Sequence, residues 1–237
     1  MATSDHSSKQ YDQELESMRS RILQMGGLVE SQLKAALDAF ERADAELADS
    51  VVQADRRVND LEIDLDRAVN NIIARRQPTA VDLRMIMGVA KTITDLERIG
   101  DESTKIARAA KWLRDKETSF RLNRIPDIRA SGDIAAQMLR KSLDAFARLD
   151  PSAAAEIIDA DQGVDERFRA ILRQLVTFMM EDPRSITSAL DTVWAAKAIE
   201  RVGDHAKNIA EHVIYVAQGA DVRHATPEEV RRMVASG

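Results

Sequence analysis

The sequence contains no cysteine, which excludes disulfides, thiolate zinc sites and cysteine nucleophiles. Glycine and proline are scarce, 9 and 5 residues in 237, and only 2 Trp, 2 Tyr and 5 Phe are present. Sheets draw on aromatic and turn residues, so this shortage counts against a β-rich fold. No run of 18 apolar residues occurs, so no helix is expected to span a bilayer. Met1 to Gln10 is polar and lacks the apolar core of a secretory signal. The chain therefore reads as cytoplasmic, with any membrane association made through a partner and no direct insertion. Lys and Arg number 34 against 40 Asp and Glu, a net charge of −6. That balance is not the basic surface of a general nucleic-acid binder. Also missing are a Walker-type glycine loop, a Glu-x-x-His pair and a nucleophile constellation, so catalysis is not expected.

What is present is helical periodicity. Leu15, Met18, Ile22, Met25, Val29, Leu33 and Phe40 follow 3-and-4 spacing, the mark of an amphipathic helix beginning near Tyr11. Glu41-Arg42-Ala43-Asp44 breaks it. A second helix carries Leu47, Val51, Val58, Leu61, Leu65, Val69 and Ile72, and Gln77-Pro78-Thr79 stops it, because the residue before proline is pushed out of the α region. Thr79 is placed to cap a third helix that runs to about Asp115. Thr118 to Pro126 is the one candidate linker. A fourth helix follows to Leu149, and Asp150-Pro151 opens a fifth that closes at Asp182-Pro183. A sixth spans about Ser185 to Ala217 with Gly219 just beyond it. Thr226-Pro227-Glu228-Glu229 reads as the cap and first turn of a short final helix.

The chain repeats itself. Leu37-Asp38-Ala39-Phe40 returns as Leu143-Asp144-Ala145-Phe146, 106 positions on, and Ala54-Asp55 returns as Ala160-Asp161 at the same offset. Glu97-Arg98-Ile99-Gly100-Asp101 returns as Glu200-Arg201-Val202-Gly203-Asp204, 103 positions on. The predicted fold is all-α: two tandem, pseudo-symmetric three-helix bundles, six long helices plus a short C-terminal one. The repeats occupy 11–117 and 122–219, flanked by a disordered tail at 1–10 and a C-terminal tail at 220–237.

The second half of each repeat concentrates acid. Glu97 and Asp101, and likewise Glu200 and Asp204, lie four apart on one helix face, where like charges destabilise by about 0.2–0.5 kcal/mol per pair. Folding the second helix of each repeat back on the third places further acids at the same height. Asp55 meets Asp101, and Asn59 meets Glu97; Asp161 meets Asp204, and Asp165 meets Glu200. Clustered carboxylates repel unless a cation sits between them or some take up protons. All-oxygen ligands suit Mg²⁺, Mn²⁺, Ca²⁺ or iron better than a structural zinc. A salt-bridged surface is the alternative, with Arg98, Arg201, Arg56 and Arg57 at hand to neutralise the acids. Gly100 and Gly203 each sit between two acids in mid-helix, where glycine costs about 1 kcal/mol relative to alanine. Their recurrence implies a close approach by a neighbouring backbone or an ion. His205 and His212 flank the second set, and Met25-Gly26-Gly27 interrupts the first helix, as a kink or a close contact.

Leu96-Glu97-Arg98-Ile99-Gly100-Asp101 and Ile199-Glu200-Arg201-Val202-Gly203-Asp204 resemble the duplicated acidic motif of the PhoU family, regulators that accompany bacterial phosphate-specific transport. Met25-Gly26-Gly27-Leu28-Val29-Glu30, Ala74-Arg75-Arg76-Gln77-Pro78-Thr79-Ala80 and Met179-Met180-Glu181-Asp182 add to the resemblance, which covers roughly Tyr11 to Gly219. The resemblance implies two side-by-side three-helix bundles in a homodimer. It implies metal ions at Glu97/Asp101 and Glu200/Asp204, with Asp55, Asp161 and Asp165 as further ligands; Mg, Mn, Fe and Zn are all candidates. Asn59 stands where the second repeat has Asp165, which weakens the first site. The implied role is negative regulation of the phosphate-starvation response, linking the ATPase subunit of the phosphate transporter to a sensor histidine kinase. A carboxylate-bridged di-metal enzyme is the alternative for such a helical scaffold.

Overall fold

The computed structural model describes residues 3–78, 80–114 and 126–236, with side chains for all of these except 3–10, 12, 114 and 126. Seven α-helices cover most of them: α1 (Thr3–Arg42), α2 (Ala45–Arg76), α3 (Ala80–Arg114), α4 (Pro126–Arg148), α5 (Pro151–Glu181), α6 (Ile186–Gln218) and α7 (Pro227–Ser236). A single 3-10 turn, Pro183–Ser185, joins α5 to α6, and no strand occurs among the described residues.

The helix ends follow local chemistry. Asp44 caps α2, its carboxylate accepting the N–H groups of Glu46 and Leu47 at 3.0 Å each. Asp150 caps α5 in the same way, through Ser152 at 3.1 Å and Ala153 at 3.0 Å, with Pro151 in the first turn. Ala43 and Leu149, each one residue before these caps, both take φ 50°. That is a costly region for a side chain with a Cβ, and the same turn is built twice, 106 residues apart. Gln77 ends α2 in the left-handed region, and Gly219 ends α6 there with φ 74°. Thr226 and Glu229 form a capping box at α7: the Thr226 N–H donates to the Glu229 carboxylate at 2.7 Å, and the Glu229 N–H donates to the Thr226 hydroxyl at 3.3 Å.

Residues 3–10 do not form the expected tail, because α1 runs back to Thr3. No Gly or Pro interrupts the stretch from Thr3 to Met25, and propagation costs little once a helix is nucleated. The predicted cap Thr79 and residues 115–125 of the predicted linker lie outside the described residues.

α1–α3 form one bundle and α4–α6 the other. Phe40 and Phe146, 106 apart, are both fully buried, each worth about 1.5–3 kcal/mol of transfer free energy. α3 and α6 pack along each other as the seam between bundles, and α1 touches α4. At that second contact a Cβ on Gly26 would lie 2.5 Å from a Leu143 methyl, and one on Gly132 would lie 2.5 Å from a Leu37 methyl. Both members of this reciprocal pair are offset by 106, so the bundles are related by a pseudo-twofold. Gly26 is therefore a close-contact residue, and α1 passes through it without a break. No helix among the described residues is long and apolar enough to cross a membrane.

Candidate metal centres

In the second repeat, α5 carries Asp161 and Asp165 and α6 carries Glu200 and Asp204. Asp161 is buried, and one of its oxygens accepts from Lys207 Nζ at 2.9 Å. Its other oxygen is buried without a partner. Glu200 follows the same pattern: Lys197 Nζ donates to Oε1 at 2.5 Å, and Oε2 is buried and unpartnered. Burial, then the negative charges of Glu200, Asp161 and Asp165, push the Asp204 carboxyl up to about 6, with Lys197 opposing. The four acids thus act on one another through a shared, partly desolvated space, as their matched heights require.

The first repeat brings Asp55, Asn59, Glu97 and Asp101 together differently. Gln32, buried on α1, donates from Nε2 to Asp55 Oδ1 at 2.9 Å, and Asn59 Nδ2 lies 3.4 Å from Asp55 Oδ2. The carbonyl oxygens of Gln32 and Asn59 are buried with no partner. Burial raises Glu97 above the usual carboxylate range, Asp101 and Glu62 add to the rise, and Arg98 opposes it. Burial also raises Glu62, which joins this set from α2. A Cβ on Gly100 would come within 3.2 Å of Asp55 Oδ1, and one on Gly203 within 3.6 Å of Asp161 Oδ1. Each mid-helix glycine therefore admits the carboxylate of the preceding helix, a closer approach in the first repeat than in the second.

The donor chemistry fits a hard cation: carboxylate and amide oxygens, several of them buried and without donors. The side chains are not drawn into a finished shell, since no three His, Asp or Glu among the described residues are grouped to hold an ion. Arginine neutralises little of either set. Arg98 reaches Glu97 at 3.6 Å, whereas Arg201 turns away to Glu102 at 3.2 Å.

The histidines serve the seam. His205 Nδ1 lies 2.8 Å from Asp95 Oδ1, and His212 Nε2 lies 2.9 Å from Asp95 Oδ2. Asn208 also donates to Asp95, at 3.1 Å. Burial would raise the Asp95 carboxyl, but these three contacts hold it below its ordinary value. Asp95 on α3 and Asn208 on α6 carry no sequence motif. The residue of the second repeat that corresponds to Asp95 is Ala198.

The sequence profile of the PhoU domain matches residues 22–110 and 128–213, one match in each bundle. A phosphate-specific transport system accessory protein PhoU homolog from Pseudomonas putida is 48% identical over 219 residues, covering 92% of this chain and 85% of that protein. The crystal structure of PhoU from Pseudomonas aeruginosa superposes with a TM-score of 0.85 at 45% identity, covering 89% of this chain and all of that one. The phosphate transport system regulatory protein PhoU from Streptococcus pneumoniae superposes at 0.81 with 27% identity, covering 90% of this chain and 99% of that one.

Proposed function

The chain belongs to the PhoU family, and from that footing we propose that it is an accessory regulator of phosphate transport, a non-enzymatic adaptor rather than a catalyst. In this reading it restrains the phosphate-starvation response, linking the ATPase subunit of a phosphate transporter to a sensor histidine kinase, and it works in the cytoplasm as a homodimer. The observation that carries the accessory role is the match of both bundles to proteins named for it. Affinity capture from cells at high and low phosphate tests the reading. Co-purification of the transporter ATPase and a sensor kinase is the expected result, and capture of neither contradicts it.

We further propose that Asp161, Asp165, Glu200 and Asp204 hold a hard cation, and that Asp55, Asn59, Glu97 and Asp101 hold a second, weaker one. Magnesium, manganese and iron suit the oxygen donors best, and zinc less well. A bound ion supplies positive charge that allows neighbouring carboxylates to be ionised together. The chain's own residues do the rest. Lys207 and Lys197 fix one oxygen each of Asp161 and Glu200 and leave the other oxygen without a donor. Gly203 lets α5 and α6 approach at that height. After reconstitution with iron, the protein is expected to consume no oxygen.

A further inference from the structure

The two tryptophans of the chain line the same groove, between α3 and α6, together with Lys105, Lys197, Arg201 and Asp191. Both are exposed, Trp112 at 48% and Trp194 at 66% of their surface. A helical protein with so few aromatics does not leave two indoles in water for the sake of its own core. The groove, of about 540 Å³, continues a regular stripe on each helix. On α6 the stripe runs Ile186, Leu190, Trp194, Lys197, Arg201, at spacings of 4, 4, 3 and 4. Ile186 and Leu190 are exposed, at 42% and 47%. On α3 the exposed stripe is Lys105, Arg108, Trp112. Along α6 the groove passes from Trp194 to Lys197 and Arg201, and along α3 from Trp112 to Lys105. The groove is thus apolar where α6 begins and cationic one to two turns further on. Glu102 lies among these cations, buried between Lys105 at 2.9 Å and Arg201 at 3.2 Å, and Lys197 donates to Glu200, whereas Asp191 stands at the indole end, three residues before Trp194.

We propose that this groove is a docking site for a helical protein segment that presents apolar anchors followed by acidic residues. The concave seat between two helices suits a rod, as in helix-in-groove recognition with anchors at i, i+4 and i+8. The polarity along the groove specifies the order of the partner's residues. Indole and cation side chains are also the types that dominate binding energy at interfaces. A second copy of this chain fits poorly. Twofold pairing of the α6 stripe would set its apolar end, Ile186 and Leu190, against the cationic end of the other copy. A bilayer requires a convex apolar face, which a cleft does not offer. The inference does not rest on the proposed metal sites. Lys197 is the one groove residue that also contacts a site acid, and the test leaves it unchanged.

Because both tryptophans lie in the groove, intrinsic emission reports its occupancy directly. The full chain is titrated with a 16-residue helical peptide carrying three leucines at four-residue spacing followed by two glutamates, and separately with the same peptide carrying lysines instead. The expected result is a saturable blue shift with the acidic peptide and at least tenfold weaker binding of the basic one. The doubly reversed variant Lys105→Glu/Arg108→Glu should lose at least tenfold in affinity for the acidic peptide. Leu190→Glu should do the same at the apolar end, and Trp194→Ala, read through Trp112, replaces it should it fail to fold. Equal binding of both peptides, or no saturable shift, overturns the proposal. So does a shift produced only by phosphatidylglycerol vesicles, or only by raising the protein concentration.

Discussion

In the first repeat the central aspartate, Asp55, is held by the neutral amides of Gln32 and Asn59. In the second its counterpart, Asp161, is held by the ammonium of Lys207, and Glu200 by that of Lys197. The first set has three of the predicted carboxylates plus an amide, and the second has four carboxylates, two ammonium partners and an Asp204 that retains its proton to about pH 6. The two repeats thus ease the crowding of acids in two ways. The first repeat carries one carboxylate fewer, with Asn59 where the second has Asp165. Adding lysines that each occupy a single oxygen retains the full complement of acids. The seam diverges as well: Asp95 and its three partners have no counterpart, because the equivalent position is Ala198.

The largest expected effect breaks that asymmetry. Asp95→Ala leaves His212 and Asn208 without their acceptor, and an unsatisfied buried group costs about 1–3 kcal/mol. Urea denaturation should show a loss of about 3 kcal/mol in all; a loss under about 1 kcal/mol would mean that these groups find water or other partners. Next, the reciprocal contact of α1 and α4 can be probed from both sides. Gly26→Ala and Gly132→Ala each push a methyl into a leucine, an overpacking cost of about 1–3 kcal/mol that is offset by about 1 kcal/mol of helix propensity. The two losses should agree within about 0.5 kcal/mol. Unequal losses would show that the pseudo-twofold does not extend to this contact.

A smaller effect concerns pH in metal-free protein. The folded Asp204 carboxyl, raised to about 6 from its ordinary 3.8, binds a proton that the unfolded chain has already released. Stability should therefore fall as pH rises from about 4 to about 6 and be level above that. Asp204→Asn should abolish this part of the slope, read from thermal melts across the window. A variant that keeps the wild-type slope would remove Asp204 from the cluster.

Most of the helical framework was legible in the sequence because local chemistry sets it. Asp44 and Asp150 cap, Gln77 and Pro78 stop, and Gly219 terminates. The repeat then paired the helices, and antiparallel counting put Asp161 level with Asp204 and Asp165 level with Glu200. The start of α1 was not legible, since a polar segment free of glycine and proline carries no stop signal. Residues that depend on which faces meet across bundles were not legible either. Gln32, Asp95 and Asn208 each look like an isolated polar residue until α1, α3 and α6 are packed. Trp112 and Trp194 are of the same kind: nothing in their spacing shows that both stand exposed beside one groove.

We propose that the matched acids hold a hard cation, more strongly in the second repeat. The most direct test is to titrate manganese into metal-free protein, following bound ion by electron paramagnetic resonance, for the natural chain and two paired variants. Glu200→Ala/Asp204→Ala should lose more bound manganese than Glu97→Ala/Asp101→Ala. A natural chain that takes up no manganese and gains no thermal stability from it would contradict the claim, and equal losses in the two variants would contradict the ranking.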